Sequence, residues 1–461
     1  MDYRTERDSL GEVRVPADAY YGVQTQRAVD NFPISGLRPH PKLVWATAAV
    51  KRAAAVVNRK LGKLDPVTAD YIIKAATEIM SGHLHGQFVV DVYQAGAGTS
   101  HNMNANEVIA NRALELMGRP RGDYHVISPN DHVNMSQSTN DVFPTAMRIA
   151  GIAVFMDLID EVQGLGMALR LKSGEFDSVL KSARTHLQDA VPIRLGQEFS
   201  GYTMAVDKGV SKIMWAMSEL GELGIGGSAA GTGINTGRDY ARMMTDEIRE
   251  ITGFDVRPCP NLFFAMQSQT AVLTASGTLR VLATDLIRIA NDFRLMASGP
   301  MTGLDELKLP AVQPGSSIMP GKVNPVMAEM LDMVCFQVIG NDTAIMLANQ
   351  AGQLELNVMM PVMAHNLLSS AEILKNAVGA FRTKCVEGLD ANRESCQRFV
   401  DRSLGIATAL NQHIGYMKAA EIAKEALKTG KSVAQVAVEQ NVLTESELKK
   451  VLDPKSLTEP S

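Results

Sequence analysis

The chain has 461 residues, of which 46% are hydrophobic and 21% charged, an ordinary composition for a globular protein. Its 45 Lys and Arg against 50 Asp and Glu give a net charge of −5, which excludes a broadly basic nucleic-acid-binding protein. No uninterrupted apolar run approaches the ~18 residues that a membrane span needs. Four cysteines without C-x-x-C spacing, and a charged N-terminus without a signal-peptide core, favour a reduced, cytoplasmic compartment.

The positions of the 19 prolines divide the chain into regions. Residues 1–138 contain seven prolines and predict short helical pieces, because proline interrupts a helix. Between residues 139 and 393, long stretches rich in Ala, Leu, Met, Glu and Lys favour long helices. A small helical tail is expected at 394–461. The proline-free stretches are 145–191, 193–257, 261–299, 326–360 and 362–453.

One of these stretches shows the helical period directly, in apolar residues that recur at alternating steps of three and four. Such a heptad-like seam predicts a helix packed in a bundle. The alternation typical of strands is hard to find, so we expect an all-α protein. The seam consists of Val272, Ala275, Leu279, Leu282, Leu286, Ile289, Phe293 and Met296.

A glycine-rich stretch and a pair of histidines earlier in the chain predict neither a nucleotide-binding loop nor a metal site. The glycines between 224 and 233 lack the G-x-G-x-x-G spacing and follow no strand, so we interpret them as a close contact between a loop and a helix. His83 and His85 have no third ligand of matching spacing, so no metal site is expected.

Residues 315–325, GSSIMPGKVNP, are the most informative stretch. Two glycines and two prolines predict an irregular, mobile loop, and its hydroxyl, ammonium and carboxamide groups are hydrogen-bond donors. The loop runs into a long helix, for which Asn324 suits the N-cap and Pro325 the first helical position. A helix N-terminus beside Lys322 predicts a carboxylate or phosphate site.

Read together, these stretches resemble the fumarase/aspartase superfamily of lyases. Residues 315–325 match the signature loop of that family, and the resemblance covers essentially the whole chain. A loop of this length with ordered companions is far more specific than a short glycine motif. The companion stretches are residues 15–35, 95–118, 129–150, 183–199, 231–235 and 351–358.

The resemblance implies a fold, an assembly and a reaction. The fold would have three domains, at residues 1–138, 139–393 and 394–461, and a central five-helix bundle would form the core of a homotetramer. Each active site would be shared between three subunits. The reaction would be anti elimination across C2–C3 of a small dicarboxylate, with fumarate as the product. No organic cofactor and no metal are implied.

The resemblance also implies which residues act. Ser316 would remove the C3 proton, and Lys322 and Asn324 would hold the charge that develops on the neighbouring carboxylate. His186 would help to place the substrate, with Glu329 as the carboxylate that orients its ring. Further substrate contacts would come from Thr99, Ser138, Thr139, Asn140, Thr185 and Ser317.

Four positions favour the family's ammonia-lyases, which act on L-aspartate, over its class II fumarases, which act on L-malate. The fumarases tend to have serine where this chain has Ala97 and Thr139. They often have histidine at the place of Ser128, and T-Q at residues 326–327, which are Val-Met here. The resemblance therefore predicts an ammonia-lyase, with a fumarase as the alternative.

Two departures point away from the ammonia-lyases, and a third function class stays open. Met360 stands where those enzymes favour glutamate, and Met301 stands where they favour arginine. Some superfamily members are structural proteins in which catalysis is lost. Because Ser316, Lys322 and His186 are all present, a purely structural role is the least favoured interpretation.

Overall fold

The computed structural model describes residues 2–459 and is built mainly of helices, which confirms the predicted all-α class. The helices are α1 (Val23–Asn31), α2 (Pro41–Lys60), α3 (Pro66–Met80), α4 (Thr99–Leu116), α5 (Thr139–Glu175), α6 (Leu195–Leu220), α7 (Tyr240–Thr252), α8 (Leu262–Gln267), α9 (Thr270–Met296), α10 (Val326–Gln350), α11 (Met360–Phe381), α12 (Arg393–Arg402), α13 (Ala407–Ile414), α14 (Tyr416–Thr429), α15 (Val433–Glu439), α16 (Glu445–Val451) and α17 (Pro454–Thr458).

Short strands form four two-stranded sheets within the described residues. The pairs β1–β2, β3–β4 and β7–β8 are antiparallel, and β5–β6 is parallel. The strands are β1 (Tyr3–Asp8), β2 (Gly11–Pro16), β3 (Leu180–Thr185), β4 (Gln188–Arg194), β5 (Glu222–Leu223), β6 (Arg257–Pro258), β7 (Leu307–Lys308) and β8 (Asp390–Ala391).

Prolines begin helices in the N-terminal region. α2 begins at Pro41 and α3 at Pro66, at positions where a helix does not use the backbone N–H. The Asp65 side chain accepts a hydrogen bond from the N–H of Thr68 and caps α3. The result is the predicted series of short helical pieces.

The predicted seam lies on α9, and all eight of its residues are buried. Phe293 is part of an aromatic cluster, with its ring centroid 5.4 Å from that of Phe199 on α6 and 5.7 Å from that of Phe381 on α11. Helices α5, α6, α9, α10 and α11 each have 22 or more residues. The seam therefore belongs to the set of long helices that the proline-free stretches predict.

Leu286→Ala is expected to lower the free energy of unfolding by about 2–5 kcal/mol, because it leaves a cavity beside a fully buried seam position. Leu295→Ala on the same helix, at a side chain that is 43% exposed, should cost less than about 1 kcal/mol. Denaturant unfolding followed by circular dichroism measures both. Equal losses in the two variants would show that the seam is not the packed face.

The chain forms two compact units. The first comprises the residues up to Ile159 together with Ser211–Ala283 and Phe336–Leu374. The second comprises Asp160–Val210, Thr284–Cys335 and the residues from Lys375 onward. The division into three domains at 1–138, 139–393 and 394–461 stays a prediction.

Two of the helices, α5 and α10, are long and apolar enough by length and composition to cross a membrane. In α5, 83% of the most apolar window is buried, as in the core helix of a globular protein. In α10 that share is 33%, and Met333, Phe336 and Leu347 are exposed.

Candidate active site

The first group of site residues begins at the N-terminus of α4, in the first unit. The chain enters the helix through Ala97 and Gly98, which both have positive φ angles, 62° and 81°. A Cβ atom at Gly98 would overlap the ring of Phe143. This close approach explains the glycine, and it leaves Thr99 exposed as the first residue of α4.

Gly98→Ala is expected to destabilise the protein by roughly 1–3 kcal/mol and to raise the KM, because Phe143 and the start of α4 must move apart. Gly82→Ala is the matched control, since Gly82 also has a positive φ, 97°, but has open space where the Cβ would lie. Thermal unfolding and steady-state kinetics measure the difference. A Gly98→Ala protein that matches the control in both would contradict the packing argument.

The turn Ser138–Thr139–Asn140 includes the first two residues of α5 and is half-buried. The N–H of Ser138 donates to Oδ1 of Asp141, and the N–H of Asn140 donates to Oγ of Ser138. Asn102 Nδ2, one turn beyond Thr99 on α4, donates to Thr139 Oγ1 at 3.0 Å. The structure thus brings the start of α4 and this turn together.

Asp141 connects the same turn to the glycine-rich loop after β5. The expectation that these glycines follow no strand is wrong, because β5 (Glu222–Leu223) directly precedes Gly224. Its Oδ2 atom accepts hydrogen bonds from the N–H groups of Gly226 and Ser228, each at 3.0 Å. Burial raises the pKa of Asp141 to about 6, and these backbone donors oppose that shift. Asn140 Nδ2 also donates to the carbonyl of Ala229. The glycines pack against a helix start, which confirms the predicted loop–helix contact.

The second group lies in the second unit and begins with Thr185 and His186 on the β3–β4 hairpin. His186 and Leu187 form its two-residue turn, with φ angles of 56° and 59°. Such turns normally take Asn or Gly, so the backbone is strained at both His186 and Leu187. Thr185 and His186 are exposed. The sequence analysis missed this hairpin because it contains no Asn-Gly or Asp-Gly signal.

A buried ion-pair network holds strand β3. Arg184 Nη1 donates to both carboxylate oxygens of Glu306, at 2.9 and 3.0 Å, and Glu306 is fully buried. Lys181, which is also buried, pairs with Glu198 at 2.7 Å and lies 3.4 Å from Glu306. Because Arg184 directly precedes Thr185, this network fixes the strand that carries the hairpin turn. Local spacing could not reveal a pair 122 residues apart.

In the signature loop, Ser316 Oγ accepts hydrogen bonds from two backbone N–H groups. Ile318 N lies 3.2 Å and Met319 N 3.0 Å from it. Both donors belong to the loop itself, and their acceptor is the hydroxyl that the family resemblance implies as the base. Ser317 and Lys322 are exposed. The loop lines an open cavity of about 460 Å³ with its residues from Ala311 to Val323.

The two ends of the loop are closed on each other. Gly315 N donates to the carbonyl of Lys322 at 2.8 Å, and Asn324 Nδ2 donates to the carbonyl of Gly315 at 2.7 Å. The predicted helix start, Pro325, is wrong by one residue, because α10 begins at Val326. The Asn324 amide donates into the loop instead of capping the helix, and the Pro325 carbonyl accepts from Glu329 N.

Glu329 lies in the first turn of α10 and is half-buried. Within the described residues of this single chain, no hydrogen bond or ion pair joins Glu329 to His186. The pairing of these two residues stays a prediction. The structure therefore assembles Thr99 with Ser138–Asn140 in one unit, and it assembles Ser316 with Lys322 and Asn324 in the other.

Three of the positions that bear on the choice between an ammonia-lyase and a class II fumarase differ in their surroundings. Ala97 is buried, and its N–H donates to the carbonyl of Val358 at 2.7 Å. Met360 is fully buried at the start of α11, where a glutamate would need a compensating partner. Met301 is 90% exposed.

Over residues 2–459, no group of three or more His, Cys, Asp or Glu side chains is arranged to hold a metal ion. The four cysteines are free and buried. The polar groups described above are donors for anions: hydroxyls, amides, backbone N–H groups and one exposed lysine. Their chemistry suits a dicarboxylate.

Two of the known proteins that this chain resembles belong to different enzyme classes. Residues 11–340 match a family model described as Lyase, and residues 406–459 match one described as Fumarase C C-terminus. Aspartate ammonia-lyase of Bacillus subtilis is 49% identical over 459 residues, which cover 100% of this chain and 97% of that protein. Fumarate hydratase class II of Halobacterium salinarum is 52% identical over 458 residues, which cover 99% and 97%.

A solved structure resembles the whole chain. It is described as fumarate lyase:delta crystallin from Brucella melitensis bound to cobalt, and it is 48% identical in sequence. The comparison covers 100% of both chains with a TM-score of 0.97.

Proposed function

Because the chain belongs to the fumarase/aspartase superfamily of lyases, we propose that it is an ammonia-lyase that converts L-aspartate reversibly to fumarate and ammonia. In the proposed anti elimination, the C3 proton and the C2 amino group leave from opposite faces. The observation that carries the proposal is the environment of Ser316, whose Oγ accepts two backbone hydrogen bonds.

A serine hydroxyl is a weak base, so its oxyanion must be stabilised before it can take a proton from carbon. The N–H groups of Ile318 and Met319 already point at Ser316 Oγ and would stabilise that negative charge. Lys322 adds a positive charge to the same loop. Once the Ser316 hydroxyl has released its own proton to solvent, the oxyanion accepts the C3 proton and returns to the neutral hydroxyl. The electron pair of the broken C3–H bond moves into the neighbouring carboxylate to form an aci-carboxylate.

The aci-carboxylate is the high-energy species, so donors aimed at it contribute most to the rate. Lys322 and Asn324 take this role, and the closed loop holds them beside Ser316. In the second step the electron pair forms the C2–C3 double bond, and the C2–N bond breaks to release ammonia. Ammonia leaves readily, so His186, oriented by Glu329, serves to place the substrate.

The remaining groups bind the substrate's charged ends. Thr99 and the turn Ser138–Asn140 supply hydroxyl and amide donors, and Thr185 and Ser317 supply further hydroxyls. A dianion needs many donors and few negative neighbours. The one carboxylate at the turn, Asp141, already accepts three backbone hydrogen bonds.

The preference for L-aspartate rests on Ala97, Thr139, Ser128 and residues 326–327. Ala97 has no hydroxyl to offer a substrate, whereas the family's fumarases tend to have serine there. A class II fumarase is the second candidate, and the fumarate hydratase relative that is 52% identical favours it. The buried Met360 supports it as well, because the ammonia-lyases favour glutamate at that position.

The exposed apolar face of α10 supports a proposed homotetramer. Met333 is 63% exposed and Phe336 is 58% exposed, on a helix that is apolar enough to belong in a core. Pairing this face with the same helix of other subunits would bury it. In the proposed tetramer three subunits contribute to each active site, and the enzyme works in the cytoplasm without a cofactor.

The absorbance of fumarate tests the proposal. Purified protein is given L-aspartate in one cuvette and L-malate in another. Fumarate from L-aspartate alone is the expected result. Fumarate from L-malate alone would establish the fumarase, and no product from either would favour the non-catalytic member. Light scattering of the same sample measures the subunit number.

A further inference from the structure

Lys51 on α2 is a fully buried charged residue that the proposed mechanism does not use. Its ammonium donates to Asn134 Oδ1 and to Gln137 Oε1, each at 2.9 Å. Burial lowers the pKa of Lys51 to about 7, and Asp141 opposes that shift. The other titratable neighbour is His101, whose pKa burial lowers to about 4. A buried lysine is costly, so its partners are informative.

The first partner, Asn134, is the centre of a buried amide network in the first unit. Its Oδ1 accepts from Lys51 Nζ, and also from Nδ2 of Asn102 and of Asn106, both at 3.2 Å and both on α4. Its own Nδ2 donates to the carbonyl of Gln137 at 3.2 Å. One side chain therefore connects α2, α4 and the segment that precedes α5.

The second partner, Gln137, directly precedes the substrate-binding turn. Its Nε2 donates to the carbonyls of Val133 and Met135, and its Oε1 is held by Lys51. Ser136, which lies between Met135 and Gln137 in the chain, has a positive φ of 60°. A turn of this shape is set by its side-chain bonds, so loss of the Lys51 donor would release Gln137 and, with it, Ser138.

Asn102 connects the amide network around Asn134 to Thr139. Its Nδ2 is shared between Asn134 Oδ1 and Thr139 Oγ1, at 3.2 and 3.0 Å. Thr99 lies one helical turn before Asn102 on α4. The network behind the turn is therefore in contact with both parts of the substrate-binding group in this unit.

We propose that Lys51 is a positioning residue for substrate binding, which fixes the turn Ser138–Asn140 through Asn134 and Gln137. The inference rests on the proposed function, because that function makes the turn a carboxylate-binding element. A neutral apolar residue would fill the buried site at lower cost, so stability alone does not account for the lysine.

The test replaces the donor and measures binding and catalysis separately, in the full-length protein. Lys51→Met removes the ammonium but keeps most of the side-chain length. Lys60→Met is the control, a lysine on the same helix whose side chain is 52% exposed. Succinate, a dicarboxylate that cannot eliminate, is titrated by calorimetry, and steady-state kinetics are run with the substrate that the wild type converts.

Lys51→Met is expected to raise both the KM and the succinate Kd by about 10- to 100-fold, since small displacements of binding groups have effects of this size. We expect kcat to fall by less than about fivefold in the same variant, because Ser316 and Lys322 lie in the other unit. Lys60→Met should match the wild type. A Lys51→Met protein that folds and binds succinate normally would overturn the proposal.

A double-mutant cycle separates positioning from general stability. If Lys51 acts through Gln137, then Gln137→Met should raise the succinate Kd similarly, and the double variant should be no worse than either single variant. Additive losses would overturn the proposal. If Lys51→Met does not fold, Gln137→Met provides the test alone. A normal succinate Kd in Gln137→Met would show that Lys51 does not act through Gln137.

Failure of the proposed function has a different signature. A wild-type protein that binds succinate but converts neither L-aspartate nor L-malate would contradict the function, while the effect of Lys51→Met on succinate binding still decides the positioning role. A wild-type protein that binds no succinate would overturn both.

Discussion

Ser316→Ala is expected to lower kcat by about a thousandfold, within the range that loss of a positioned acid–base group produces. The hydroxyl is the proposed acceptor of the C3 proton, and its two backbone donors have no other oxygen to stabilise. The KM should change little, because the proposed substrate contacts at Thr99 and Ser138–Asn140 remain. Initial rates of fumarate formation measure the effect.

The control for this variant is Ser81→Ala, which removes an exposed turn serine outside the proposed site whose hydroxyl donates to a backbone carbonyl. The control should keep wild-type kinetics, and both variants should unfold at the wild-type temperature. If Ser316→Ala retained more than a tenth of the wild-type kcat, Ser316 would not be the base.

Gly315→Ala is expected to lower kcat/KM by about a hundredfold, because misplacing catalytic groups by a fraction of an ångström to an ångström has effects of that size. A Cβ atom at this position would overlap the carbonyl of Lys322 and lie 2.8 Å from the N atom of Asn324. Backbone atoms cannot give way as a flexible side chain can. The loop closure that holds Lys322 and Asn324 beside Ser316 must therefore open.

Stability should be nearly unchanged in Gly315→Ala, since most of the loop is exposed. Gly174→Ala, at an exposed glycine of α5 with open space around it, is the control, and it should stabilise the protein by up to about 1 kcal/mol. Kinetics and thermal unfolding of the two variants give the comparison. Wild-type kcat/KM in Gly315→Ala would contradict the closed-loop geometry.

Features that depend on local period were predicted from the sequence. The heptad seam between Val272 and Met296 is buried throughout, because a period of 3.5 residues places those side chains on one face of α9. The prolines marked the starts of α2 and α3, since proline is tolerated at the first helical position. The signature loop was placed correctly before a long helix, although its Asn324 does not cap that helix.

Features that depend on distant residues could not be predicted. The ion pair of Arg184 with Glu306 and the bonds of Lys51 to Asn134 and Gln137 join residues more than 80 positions apart. The hairpin at His186 has a turn sequence that local preferences disfavour. In each case the tertiary structure stabilises a conformation or a buried charge that the neighbouring sequence does not predict.

The reverse reaction in D₂O tests whether the chain is an ammonia-lyase and whether Ser316 exchanges the C3 proton. The protein is incubated with fumarate and an ammonium salt, and the product is identified by proton magnetic resonance. We expect L-aspartate with one deuterium at C3, added anti to the amino group, and formation of that product about a thousandfold more slowly with Ser316→Ala. Deuterated L-malate as the sole product would contradict the ammonia-lyase, and deuterium added on the same face as the nitrogen would contradict anti elimination.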